Sequence, residues 1–201
     1  MKLSKTTSAS SSRRWRGTLA SRWFLLLGAL ATFVWVSDEP SVLAATSSSK
    51  TYGLFSGRAK VTLPKSAAAP KKLGASTFIV QPRDVSKKFV VYVTREPLRP
   101  NEIKMSKQEF GESIKKLLEA QGHTILSYSA RGQDYRVDFT TYAVLPWQTV
   151  GTTPARGVAK FTRTADKQLI GSVLMCDPTQ WLDSGIAGYK QAVSRTKVSQ
   201  R

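Results

Sequence analysis

Between residues 58 and 63 the apolar side chains of Ala59, Val61 and Leu63 alternate with Arg58, Lys60 and Thr62. Period two of this kind predicts a strand with one face buried, and Pro64 ends it. Residues 65–72, made of Lys, Pro, Ser and Ala, predict a loop. Residues 77–80 and 89–94 are two further apolar runs, separated by Pro82, Arg83 and Asp84 and closed by Pro97 and Pro100, and both predict strands. The period then changes. Phe110, Ile114, Leu117 and Leu118 fall on one face of a helix. Ser106 and Glu109 have the capping-box spacing that starts such a helix, and Gly122 supplies the left-handed residue that stops it.

Beyond Gly122 the strand period returns. Residues 124–130 and 135–142 flank Arg131, Gly132, Gln133 and Asp134 and predict a hairpin. A longer loop over 145–154 follows, carrying Pro146 and Trp147. Residues 157–164 and 169–176 predict a second hairpin around Ala165, Asp166 and Lys167, its near-continuously apolar second arm suiting a central strand covered on both faces. Leu182, Ile186, Tyr189 and Val193 predict a last helix, with Thr179 as N-cap candidate and Lys190, Arg195 and Lys197 toward its end. Three strands, a helix, four strands and a helix, joined mostly as hairpins, predict an α+β fold: a largely antiparallel sheet of six to seven strands with two main helices packed on it. Phe110, Ile114, Leu117, Leu182, Ile186 and Val193 are expected to face that sheet.

The first 44 residues have a different character. Six bases precede an apolar run over residues 23–36, and no acid occurs before Asp38. At 1.5 Å per residue that run covers roughly 21 Å, short of the roughly 30 Å of bilayer hydrocarbon. It reads as a signal peptide or signal anchor over 1–44, with Val42, Leu43 and Ala44 as cleavage spacing and a mature start near Ala45. A Ser- and Arg-rich, acid-poor leader also fits an organelle transit peptide. Residues 45–53 are expected to be a flexible linker and 54–201 a single domain, placed outside the cytoplasm.

Charge alters the picture more than composition does. The chain carries 31 Lys and Arg against 13 Asp and Glu, a net +18. Removing the six bases and two acids of residues 1–44 leaves 25 against 11, a net +14, so the basicity belongs to the domain. One histidine, His123, and one cysteine, Cys176, exclude an intramolecular disulfide and a zinc site built from those residues alone. No nucleophile elbow, phosphate loop, dinucleotide glycine pattern or paired metal-ligand histidine occurs, so a non-enzymatic protein without a cofactor is expected. Glu109 and Glu112 read as solvated, Glu112 facing Lys116 one turn on. Asp134, Arg136 and Asp138 read as an exposed charge ladder on one strand face. His123 follows Gly122, where a cation is welcome against the helix C-terminus, and Cys176 reads as a small buried hydrophobe.

The positive charge is scattered over Lys71, Lys72, Lys87, Lys88, Lys104, Lys107, Lys115, Lys116, Arg156, Lys160 and Arg163. It is either a solvated surface or a docking face for an acidic partner, an anionic membrane or an acidic protein. Lys71, Lys72, Lys87, Lys88, Arg156, Lys160 and Arg163 are the candidate contact residues. Trp147, in a Pro-flanked loop, joins them as a ring either folded over the sheet edge or exposed as an anchor. Nucleic acid is not expected, because Val158 and Lys160 stand where an RNA-recognition strand needs stacking aromatics.

Phe161-Thr162-Arg163-Thr164-Ala165-Asp166, the following Lys167-Gln168-Leu169-Ile170, Trp181 and Gly188-Tyr189-Lys190 resemble the PsbP family, the extrinsic lumenal proteins of photosystem II. Leu73-Gly74-Ala75-Ser76-Thr77-Phe78 and Leu118-Glu119-Ala120-Gln121-Gly122 also look like bacterial members, and the resemblance covers residues 52–198. It implies the Mog/PsbP-like α/β/α sandwich and a non-enzymatic accessory protein. Such a protein is peripherally associated with an acidic membrane protein complex, photosystem II among them, in the thylakoid lumen or periplasm. Association with calcium is implied by the resemblance alone. The alternative is a periplasmic envelope protein of the same fold that binds a small ligand or lipid headgroup.

Overall fold

The computed structural model describes residues 49–84, 86–147 and 151–200. The expected export segment, 1–44, lies outside the described residues. Each of the ten strands described has a partner strand that satisfies its backbone groups, and two of them arise in segments expected to be irregular.

The first of these is β1 (Ser49–Leu54), which pairs antiparallel with β2 (Ala59–Pro64) from Ser49 opposite Pro64 to Leu54 opposite Ala59. Residues 49–53 are therefore strand, where a linker reaching to 53 is expected. Their Ser and Thr content hides a strand whose stability comes from its partner: the Thr51 and Thr62 hydroxyls meet at 2.9 Å, and Leu54 is buried. β10 (Lys197–Val198) pairs with the other edge of β2, completing a three-stranded sheet.

The larger sheet is antiparallel throughout. Its strands are β3 (Lys71–Lys72), β4 (Thr77–Val80), β5 (Phe89–Pro97), β6 (Thr124–Arg131), β7 (Asp134–Ala143), β8 (Thr153–Arg163) and β9 (Gln168–Cys176), in the spatial order β3-β4-β5-β9-β8-β7-β6. Seven strands match the upper expectation, with a different membership: β2 leaves for the small sheet, and β3 enters from the expected loop 65–72. β9 is central and its apolar run is buried on both faces, as its composition predicts.

Three helices complete the described residues: α1 (Pro100–Lys104), α2 (Lys107–Ala120) and α3 (Ser184–Ser194), the last preceded by a 3₁₀ turn at Pro178–Gln180. α2 starts at the predicted capping box, where the Glu109 amide donates to Ser106 Oγ at 3.2 Å and the Ser106 amide to Glu109 Oε2 at 2.8 Å. It stops at Gly122, whose φ of +84° lets the Gly122 and His123 amides reach back to the Glu119 and Leu118 carbonyls at 3.0 and 3.1 Å. Phe110, Ile114 and Leu118 bury α2 on one face of the large sheet, among Tyr92, Tyr135, Phe139 and Phe161. Ile186, Tyr189 and Val193 bury α3 on the other face, together with Val61 and Leu63 of the small sheet, against Val91 and Leu174. The two helices thus share one sheet from opposite sides.

Two residues of the expected helical stripes depart from it. Leu117 is half-buried, and Leu182 is 90% exposed. The cause is the start of α3. Its N-cap is Asp183, whose Oδ1 accepts the Gly185 amide at 2.7 Å, so Leu182 precedes the helix and has no helical phase. Thr179, the expected N-cap, sits instead in the 3₁₀ turn that Asp177 caps.

Candidate docking surface

Two of the candidate cations are structural. Arg163, at the end of β8, donates through Nη1 to the Met105 carbonyl at 2.9 Å and through Nη2 to the Ile103 carbonyl at 2.6 Å, and its guanidinium lies over Phe110. Lys160 donates to the Thr196 carbonyl at 3.0 Å and pairs with Asp134 at 3.0 Å, so it ties β8 to the residues after α3. Neither ammonium nor guanidinium is left over for a partner. The face carrying Asp134, Arg136 and Asp138 is laced in the same way: Asp134 accepts from the Thr162 hydroxyl at 2.7 Å and Asp138 from Ser127 at 3.1 Å. Acidic charge on that face is spent locally.

Arg156 has a different environment. In the ladder it lies opposite Cys176 of β9 and Thr140 of β7, at the end of the sheet where β5 begins with Phe89 opposite Cys176. Its guanidinium sits 4.6 Å from the centroid of Trp181, and Lys190 Nζ lies at the same distance from that ring. Lys190 reaches there from α3 and donates to the Trp181 carbonyl at 2.7 Å. Trp181 is itself 7% exposed, a buried indole whose two cationic neighbours gain from the ring quadrupole. Neither cation forms a salt bridge among the described residues. Asp177, next to Cys176, is committed to the Thr179 amide and hydroxyl at 2.9 and 2.7 Å, bonds that hold its carboxyl below its ordinary range.

At the same end, Lys88 gives its amide to Gln180 Oε1 at 2.7 Å and its carbonyl to the Asp177 amide, leaving an exposed side chain. Lys87 is paired with Asp183 at 2.6 Å, which raises the lysine pKa and lowers that of the aspartate. Large apolar side chains stand beside these cations: Tyr142, 73% exposed and opposite Pro154 on the face that carries Arg156, and Leu182, next in the chain to Trp181. Lys71 and Lys72 lie apart, exposed in the edge strand β3. Trp147 is half-buried and packs on the α2-side core, which corresponds to the folded-over arrangement.

Arg156 and Lys88, contact candidates by their charge, lie at this end of the sheet together with Trp181, Lys190, Leu182 and Tyr142, which the charge pattern does not single out. Trp181 directly followed by Leu182 was the available signal, since a lone helical stripe does not explain two large apolar residues in succession.

The remaining reactive groups are buried. Cys176 is enclosed, and burial pushes its thiol up to about 12 in spite of Lys190 and Arg156 nearby. His123 is buried against Phe139, ring centroids 5.0 Å apart, and burial lowers its pKa, so it is a neutral ring and not the cationic helix cap expected of it. Among the described residues no group of three His, Cys, Asp or Glu is placed to hold a metal, and no helix is long and apolar enough to cross a membrane. A cavity of about 250 Å³ lies by the β8–β9 turn, between Leu98, Ile103, Gln133, Thr164 and Lys167. Its only arginine is Arg163, whose donors are already used.

No protein-family model and no curated protein matches the chain. Solved structures do. The solution structure of cyanobacterial PsbP (CyanoP) from Synechocystis sp. PCC 6803 superposes with a TM-score of 0.51 at 16% identity, covering 80% of this chain and 98% of that one. This chain has a PsbP-like fold. The Saccharomyces cerevisiae Ran-binding protein Mog1p is also similar, with a TM-score of 0.49 at 12% identity over 76% of this chain and 96% of its own. The PsbP-like architecture accounts for what the sequence pattern predicts, an antiparallel sheet between two helical layers, and adds the small β1-β2-β10 sheet beside α3.

Proposed function

We propose that this PsbP-like protein is a non-enzymatic accessory protein that docks by its basic surface on an acidic membrane protein complex, on the extracytoplasmic side. The observation that carries this reading is the end of the sheet where Arg156, Lys190 and Lys88 stand without a salt bridge beside exposed Tyr142 and Leu182. Unpaired cations around apolar anchors suit a charged partner, which steers association over about a Debye length and is then held by burial. The likeness to cyanobacterial PsbP makes photosystem II, in a thylakoid lumen, the first complex to test.

The test is fractionation after gentle lysis. Native electrophoresis of solubilised membranes should show the protein migrating with a large complex and leaving it after a salt wash. Recovery only as a free soluble monomer would overturn the reading.

A further inference from the structure

Arg156 and Lys190 each lie 4.6 Å from one ring centroid, so their charges are within about 9 Å of each other, inside a Debye length of about 10 Å at 0.1 M salt. Two like charges held this close repel unless an anion joins them. Among the described residues neither forms a salt bridge: Asp177 spends its hydrogen bonds on the 3₁₀ turn, and Arg156 has a buried Nε with no acceptor. Leu182 stands next to Trp181 in the three-residue link between that turn and α3, held in place by the Asp183 N-cap. Tyr142 flanks Arg156 diagonally on the neighbouring strand.

We propose that this end of the sheet contacts an anionic phospholipid surface directly, Arg156 and Lys190 taking headgroup phosphates while Leu182 and Tyr142 enter the interfacial layer. The inference rests on the docking reading above and names the lipid around the complex as part of what is bound. Charge complementarity favours it, because a leaflet of anionic lipid offers phosphates at every position, while Arg156, Lys190 and Lys88 stand here without a salt bridge and the neighbouring carboxylate, Asp177, is hydrogen-bonded within its own turn. Leu182, 90% exposed, needs a matching pocket on a folded partner but none in fluid acyl chains. Tyr142, exposed beside Arg156, is also the kind of side chain that settles at a bilayer interface, an apolar body inward and a polar tip in water.

The experiment uses the full chain and protein-free vesicles, either neutral phosphatidylcholine or a mixture with phosphatidylglycerol. Residues 1–44 carry their own bases and apolar run, so the quantity read is the change between the wild type and variants that share them. R156Q and K190Q should each lower partitioning onto anionic vesicles about fivefold at low salt. L182S should lower it by a further factor of about ten through lost apolar burial. A local readout separates this contact from the leader. With an environment-sensitive dye on L182C, emission should shift to the blue on anionic vesicles, and the same dye on A130C, at the far end of β6, should not shift. An unshifted dye at 182 together with unchanged partitioning of R156Q and K190Q would overturn the lipid contact. If, in addition, native membranes still retain the protein in a salt-sensitive way, the partner surface is protein and the docking reading stands without the lipid.

Discussion

The guanidinium of Arg163 lies 5.3 Å from the ring centroid of Phe110 while its two terminal nitrogens hold the carbonyls of Ile103 and Met105. One side chain from the end of β8 thus fixes α1, the α1–α2 connection and the first turn of α2 onto the sheet. A residue that reads as a contact candidate in the sequence is a clamp within the fold.

Arg163→Ala leaves two carbonyls without donors and uncovers the Phe110 ring, so it should destabilise the domain by about 2–4 kcal/mol. Urea denaturation measures this. The salt concentration that releases the protein from membranes should stay where it is in the wild type, because this charge does not face a partner.

Ile186 and Leu182, four residues apart, should respond very unequally to a substitution that an amphipathic helix would make equally costly. Ile186→Ala empties a fully buried site between α3 and the sheet and should cost about 2–5 kcal/mol. Leu182→Ala should change stability by less than about 0.5 kcal/mol. Thermal denaturation of the two variants side by side checks the pair.

Gly111 faces the Tyr128 hydroxyl and the edge of Tyr135 so closely that an added Cβ would overlap Tyr128. Gly111→Ala gains helix propensity but forces α2 away from β6, and should destabilise by about 1–3 kcal/mol. Tyr128→Ala in the same chain should recover part of the loss, a coupling that a double-mutant cycle measures.

His123 makes the stability depend on pH in a defined direction. Burial lowers its folded-state pKa below the ordinary 6.5, so the unfolded chain takes up a proton that the folded chain resists. The contribution is complete above the unfolded value and is lost as pH falls from there toward the depressed folded value. Wild type should lose stability as pH falls through the ordinary histidine value of 6.5 and below it, and His123→Phe should lose less. Carboxylates such as Asp84, Glu109, Asp177 and Asp183, all held below their ordinary range, titrate at lower pH and do not contribute to that window. Equal slopes for the two proteins would show that the ring is solvated.

The fold was legible wherever local signals agreed. Period two at Ala59, Val61 and Leu63, the Ser106 and Glu109 capping box and the Gly122 stop each rest on neighbours within a few residues, and each is found in place. β1 and β3 were hidden because their mostly polar residues show no apolar alternation and become strands by pairing with β2 and β4, and β10 because its two residues pair with a strand far back in the chain, Lys197 opposite Lys60. The candidate docking surface was half legible because it too depends on segments distant in sequence. Arg156 shows in the charge pattern, but its meeting with Lys190 over Trp181 depends on β8, the 3₁₀ turn and α3 converging at one end of the sheet. Lys87 and Arg163, alike in sequence to Lys88 and Arg156, differ from them only through Asp183 and the α1 carbonyls.

The most direct test of the docking account is a salt-release curve on native membranes, comparing wild type with a variant in which Lys88, Arg156 and Lys190 are all replaced by Glu. The account predicts release of the wild type at moderate NaCl, since exposed charges are screened beyond roughly 10 Å at 0.1 M, and release of the variant at markedly lower salt. Retention of both proteins through 1 M NaCl, ending only when residues 1–44 are removed, would contradict it and leave the leader as the attachment.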